Sequence, residues 1–97
     1  MDMLRSMEDL GPQISYLVLE RGVPVFSSDG ERLGRVVRVQ RDIATHIFDG
    51  IVFASGSGIG GRRFVDAPEV GEIHERGVIL TIDAGEAADL PSPRGVA

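Results

Sequence analysis

Residues 22–39, Gly-Val-Pro-Val-Phe-Ser-Ser-Asp-Gly-Glu-Arg-Leu-Gly-Arg-Val-Val-Arg-Val, constrain the fold more than any other part of the chain. Val23, Val25 and Phe26 are β-prone, and Leu33, Val36, Val37 and Val39 resume the apolar pattern with Arg35 and Arg38 interleaved. Between them stand Ser27-Ser28-Asp29-Gly30. Glycine accepts φ > 0 and aspartate bonds its own turn backbone, so Asp-Gly between two such runs encodes a hairpin. None of these residues forms a catalytic set. A hairpin opening a small β domain makes a scaffold or docking module the default reading.

The rest of the chain has the same grain. Residues 14–19 read as a strand, and Glu20-Arg21-Gly22 as a turn into the hairpin. Residues 41–46 are polar enough for a loop. Residues 47–54 read as one continuous strand, with Gly50 at a bulge or a close backbone approach rather than a turn that leaves two very short halves. Residues 55–61 form a glycine-rich loop, and 63–66 a short strand. Val78, Leu80 and Ile82 alternate onto one face of a strand over residues 78–82. Asp83 and Glu86 have capping-box spacing, which predicts a helix over residues 84–90 that stops at Pro91. Leu4, Met7 and Leu10 sit at helical spacing, so residues 1–13 read as a tail or a short helix. Residues 14–91 read as the domain and 92–97 as a tail. Five or six short antiparallel strands with frequent turns and a short C-terminal helix predict a mainly all-β fold, a small closed or partly open β-barrel. Barrel closure also removes exposed strand edges.

Ninety-seven residues make one modest domain, which buries roughly 60–65% of its unfolded surface. The net charge of −5 opposes direct nucleic-acid binding and attraction to anionic membranes. All ten basic residues are arginine, in keeping with a GC-rich bacterial genome. Cysteine is absent, which excludes disulfides, thiolate catalysis and cysteine zinc sites. No apolar run approaches bilayer length and the acidic start is unlike a secretory signal, so a soluble cytoplasmic protein is expected.

Taken together, the motifs resemble the PRC-barrel domain family. The resemblance rests on Gly22-x-Pro24-Val25-Phe26-Ser27-Ser28-Asp29-Gly30-x-x-Leu33-Gly34-x-Val36-x-x-Val39, then on Phe48-x-Gly50-Ile51-Val52, Arg63-Phe64-Val65-x-Ala67-x-x-Val70, and Val78-Ile79-Leu80-Thr81-Ile82 with Leu90-Pro91 beyond. It implies a compact stand-alone β-barrel that binds other proteins, with no shared catalytic residues to carry over. Asp29, Gly30 and Gly34 fall on its structural turn and strand-start positions. By analogy with the barrel of the ribosome maturation factor, a ribosome- or RNA-associated assembly factor is the alternative.

Candidate chemistry is sparse. Residues 56–61 satisfy G-x-G-x-x-G, but a dinucleotide site needs a helix directly after the glycines, and Arg62-Arg63-Phe64-Val65 is strand-like. His46 and His74 have no metal-ligand spacing and read as surface histidines in loops; a small-ligand or metal site built on them is the weakest alternative. At an interface they would make association pH-dependent. Arg62-Arg63 beside the glycine-rich loop is the best recognition candidate, a pair that would clamp a carboxylate or phosphate, with Arg35, Arg38 and Arg41 adding to it if their strand lies nearby. The expectation is a non-enzyme without cofactor or metal: an adaptor or a self-associating module, with an unknown protein partner and a homodimer expected.

Overall fold

The computed structural model describes residues 10–55 and 61–93. Residues 1–9 of the expected N-terminal tail or short helix, most of the glycine-rich loop and the end of the C-terminal tail lie outside them. Six strands, β1 (Pro24–Phe26), β2 (Arg32–Arg41), β3 (Phe48–Ala54), β4 (Arg62–Asp66), β5 (Val70–His74) and β6 (Gly77–Leu80), form one sheet in the order β4-β3-β2-β1-β6-β5. The edge strands β4 and β5 are consecutive in the chain, joined only by the 3-10 turn Ala67–Glu69. Such a link spans at most about 14 Å, whereas the edges of a flat six-stranded sheet lie about 24 Å apart. The sheet must therefore curl, and the result is a partly open barrel.

That link also sets the one parallel pairing. The turn Ala67–Glu69 does not reverse the chain, so β5 keeps the sense of β4. The tight turn at Glu75-Arg76 then sends β6 back alongside β1, pairing Val25 with Val78 and Phe26 with Ile79 in parallel. This corrects the all-antiparallel expectation; the other four pairings are antiparallel.

The core follows from alternation. Val25, Val36, Ile51, Phe53, Val65, Val78, Leu80 and Ile82 are buried together, and Ala87 closes one end. Ile51 faces Val65 across β3–β4, and Val36 faces Phe53 across β2–β3, the direct cross-strand pairs through which sheets are stabilised. Val78, Leu80 and Ile82 share the inner face as their spacing predicts. The helix α1 (Ala84–Ala87) starts at the predicted capping box, with the Glu86 N–H donating to Asp83 Oδ1 (2.8 Å) and the Asp83 N–H donating to Glu86 Oε1 (3.0 Å). It is shorter than predicted. The Asp89 and Leu90 N–H groups bond three residues back, to Glu86 and Ala87, and proline at 91 has no N–H with which to continue.

Residues 14–19 correct a second expectation. They carry a 3-10 turn, Tyr16–Val18, in place of a strand, with the Leu17 N–H donating to Ser15 Oγ at 3.0 Å. The chain pairs before that point instead. The Ile14 N–H donates to the Ile73 carbonyl (2.9 Å), and the Glu75 and Arg76 N–H groups donate to the carbonyls of Pro12 (3.0 Å) and Leu10 (2.8 Å). Residues 10–14 thus cover the outer edge of β5 at its Ile73–His74 end. On the opposite edge, the Phe64 N–H donates to the Pro91 carbonyl at 2.8 Å.

Two glycines hold the hairpin and its neighbour. Gly30 has φ +87° in the turn, where its N–H donates to the Ser27 carbonyl (3.0 Å) and the buried Ser27 hydroxyl donates to the Asp29 carboxylate. That hydroxyl, followed by the N–H groups of Asp29 itself and Ala84, holds the Asp29 carboxyl below its ordinary range against a smaller desolvation effect. Gly34 is a matter of space: a Cβ there would sit 1.9 Å from the Ala54 carbonyl oxygen on β3. Gly50 lies beside a β3 bulge at Asp49, with its backbone against Val65, as one continuous strand requires. Gly34→Ala is expected to lower the unfolding free energy by about 1–3 kcal/mol through overpacking, and Gly30→Ala by about 1–2 kcal/mol through its left-handed backbone. Urea unfolding measures both, and an unchanged midpoint for Gly34→Ala would contradict the close approach of β2 and β3.

Candidate functional site

Register sorts the arginines. Across β2, β3 and β4 the rows are Arg35, Ala54 and Arg62; Arg38, Val52 and Phe64; and Gln40, Gly50 and Asp66. Directly opposed residues share a face. Arg35, Arg38 and Arg62 therefore stand together on the outer face, around the buried Val52. Arg35 and Arg38 are three residues apart and would point to opposite faces of a regular strand; the bulge at Val37 brings them to one side. Arg63 is opposite Phe53 and points the other way, into a cleft with Arg32, Leu33 and Ala87. Neighbouring strand residues alternate faces, so Arg62 and Arg63 do not form the predicted clamp.

The second feature is a groove along β2. The three-residue β1 pairs β2 only from Arg32 to Arg35, and two further backbone bonds link Val36 to Val23 (2.8 Å) and Gly22 (2.8 Å). Beyond them, residues 37–41 have no strand on that side among the described residues. A groove of about 280 Å³ runs there, lined by Tyr16, Leu19, Arg21, Arg38, Val39 and Arg41 among others. Tyr16 fixes its wall. The ring stacks on Phe48 with centroids 4.6 Å apart, and the hydroxyl donates to the His46 carbonyl at 2.9 Å. Arg38 bonds the Gln40 side chain through Nε (3.3 Å) and Nη2 (3.2 Å). No described carboxylate lies within ion-pair distance of Arg21, Arg38 or Arg41.

The apolar surface collects at the same place. Among the described residues the exposed large hydrophobic side chains are Leu17 (61% exposed), Val18 (60%), Ile43 (81%) and Ile47 (60%). All four lie on the 3-10 turn or on the β2–β3 loop, the two segments that Tyr16 joins. A strand over residues 14–19 gives no sign of this surface. The usable signal was Ile43 and Ile47, apolar residues inside a stretch otherwise polar enough to be a loop.

The histidines are apart in role. His46 is exposed in the β2–β3 loop, with φ +61°. His74 is buried in β5, which corrects the expectation of a surface loop. Its Nδ1 lies 2.8 Å from the Gly11 carbonyl and its Nε2 2.7 Å from Glu72 Oε1. Both partners only accept, and a neutral imidazole carries a single N–H; the two bonds form together in the imidazolium. Burial pulls the His74 pKa down, but the bonds to Glu72 and Gly11 and the Glu72 charge outweigh it, so the pKa stands above the ordinary 6.5. The described residues contain no group of three or more metal-ligating side chains, so the two histidines and their carboxylate neighbours assemble no metal site there.

The family model of the PRC-barrel domain matches residues 15–88. No curated protein matches the sequence.

His74 generates a pH dependence. A group whose folded pKa is raised contributes stability fully below its unfolded value, and that contribution is lost as pH climbs through the folded value. Melting temperature is therefore expected to decline as pH rises above the ordinary 6.5. Glu72→Gln removes the charge that raises the pKa and should move the decline to lower pH. Melting curves from about pH 5.5 to about 8.5 span the window, and a wild-type profile that Glu72→Gln leaves unshifted would contradict the imidazolium clasp.

Proposed function

The chain belongs to the PRC-barrel domain family, and on that premise we propose that it is a non-enzymatic protein-interaction module, an adaptor that docks a partner through the surface of the Tyr16–Val18 turn and the β2–β3 loop. The observation that carries this reading is the placement of Leu17, Val18, Ile43 and Ile47. Single exposed apolar residues are ordinary on any protein. Here every described exposed large hydrophobic falls on two segments held together by one tyrosine, the arrangement of an interaction patch. Tyr16 is locked by its stack and its hydroxyl bond, so the surface is formed in advance and binding has little ordering to offset.

Self-association through the same patch is the second form of the reading, favoured by the same four side chains; a homodimer would bury them against their own copies. No described helix is long and apolar enough to cross a membrane. Cytoplasmic residence belongs to the proposal, supported by an acidic, cysteine-free composition.

The test is capture of the natural partner from the native host at low salt, with and without nuclease, using wild type and the double variant Leu17→Ser/Ile47→Ser. Both positions are exposed, where substitutions usually change stability by no more than about 0.5 kcal/mol, so the variant is expected to fold and to lose the partner. A partner held equally by both proteins would overturn the docking surface. Light scattering on the same pair identifies self-association as a dimer mass in the wild type that falls to a monomer in the variant. Recovery of ribosomal proteins that disappear with nuclease would replace the adaptor with an assembly factor.

A further inference from the structure

We propose that residues 37–41 of β2 accept an extended segment of a partner protein as an added strand, and that this segment alternates acidic and apolar side chains. The proposal rests on the protein-interaction reading and names the chemistry of what is bound.

Three observations converge. The first is the edge itself. β2 runs from Arg32 to Arg41, but β1 covers it only as far as Arg35, with the last backbone bonds at Val36. An uncovered strand edge is a template for another strand, and strand addition takes its affinity from main-chain bonds and its specificity from pockets for alternate side chains. The second is the groove along that edge. Its apolar lining, Tyr16, Leu17, Leu19 and Val39, is backed by the core residue Val36, and its volume of about 280 Å³ is small, below the roughly 300–1,000 Å³ of pockets that hold a drug-sized ligand. It suits side chains of a strand. The third is charge. Arg21, Arg38 and Arg41 border the groove, and no described carboxylate pairs with them, although acidic residues outnumber basic ones in the chain. A guanidinium presents a planar fork to a carboxylate.

An added strand lying on this edge places successive side chains on opposite faces. One set would enter the apolar groove beside Val39, whose face Arg41 shares, and the alternate set would meet Arg38 on the outer face. A nucleic acid has the charge but fits less well. The net charge of −5 repels a phosphate polymer, and the one aromatic ring lining the groove is already stacked on Phe48.

The experiment is fluorescence anisotropy with three labelled probes: an alternating Glu-Leu peptide, the same peptide N-methylated at alternate residues, and a single-stranded oligonucleotide. The N-methylated peptide keeps every side chain and loses the main-chain donors that a strand pairing needs. The expected result is binding of the first probe alone, weakened by salt, with amide exchange slowed at residues 37–41. Arg38→Glu/Arg41→Glu should weaken it by about tenfold or more, as lost or reversed charges at an interface do. Arg21→Glu lies off the sheet and should weaken it in the same direction, so a folding defect in the double variant does not decide the matter. Equal binding of the N-methylated peptide, indifference to the arginine variants, tighter binding of the oligonucleotide, or no binding of the Glu-Leu peptide would each overturn the proposal. If capture of the natural partner still depends on Ile43 and Ile47, which lie outside the groove, the adaptor reading stands and the added strand alone falls.

Discussion

The three-residue connection between β4 and β5 is the constraint on which the rest of the structure depends. It ties together the two edges of a six-stranded sheet, and no flat sheet accommodates it. Curling concentrates the inner residues of all six strands into one core and leaves a convex outer face. The bulges serve the curl: Leu33 and Val37 are the extra residues in β2, Asp49 in β3 and Gly71 in β5, and each bends and twists its strand. A domain of this size has little apolar surface to spare, and a curled sheet uses what it has on a single interior.

The same connection explains which parts of the fold were legible in the sequence. The Ser27–Gly30 turn, the continuous β3 and the alternation of Val78, Leu80 and Ile82 are written in local chemistry, namely positive φ, close approach and period two. The parallel contact of β1 with β6 is not local. It depends on whether Ala67-Pro68-Glu69 reverses the chain, and a 3-10 turn at a proline gives no such signal. The segment 14–19 failed for a related reason. Ile14 through Leu19 has the composition of a strand, but β5 has a single free edge and residues 10–14 reach it first. Tyr16 then finds Phe48, and Leu17 and Val18 are left facing outward.

His74 shows how a polar residue reads differently in sequence and in space. Between Glu72 and Glu75 it has a surface-like context. In the fold it occupies the buried position at the end of β5, where the crossing N-terminal segment supplies the Gly11 carbonyl to one nitrogen and Glu72 supplies a carboxylate to the other. One ring thereby joins the N-terminal segment to the sheet, and that segment in turn covers the β5 edge. A buried, doubly bonded histidine is a structural clasp, which separates it from His46 on the exposed loop and from the interaction surface.

The arginines carry the functional side of the same geometry. Spacing alone placed Arg62 and Arg63 together, and strand alternation separates them. In a regular strand Arg35 and Arg38 would face opposite ways, and a bulge unites them. Recognition surfaces on strands are thus decided by the parity of each residue after the bulges have been counted, which a sequence read without its register does not supply. The open stretch of β2 has a cause of the same kind. β1 is confined between Gly22, at φ +89°, and the turn that begins at Ser27, so it cannot lengthen to match a ten-residue partner. The Tyr16–Val18 turn fills part of the space that a longer β1 would have occupied, and it does so with apolar side chains turned to solvent. The uncovered edge, the apolar patch and the bordering arginines are therefore one consequence of a short first strand, and the surface proposed for binding is built by the same punctuation that makes the hairpin.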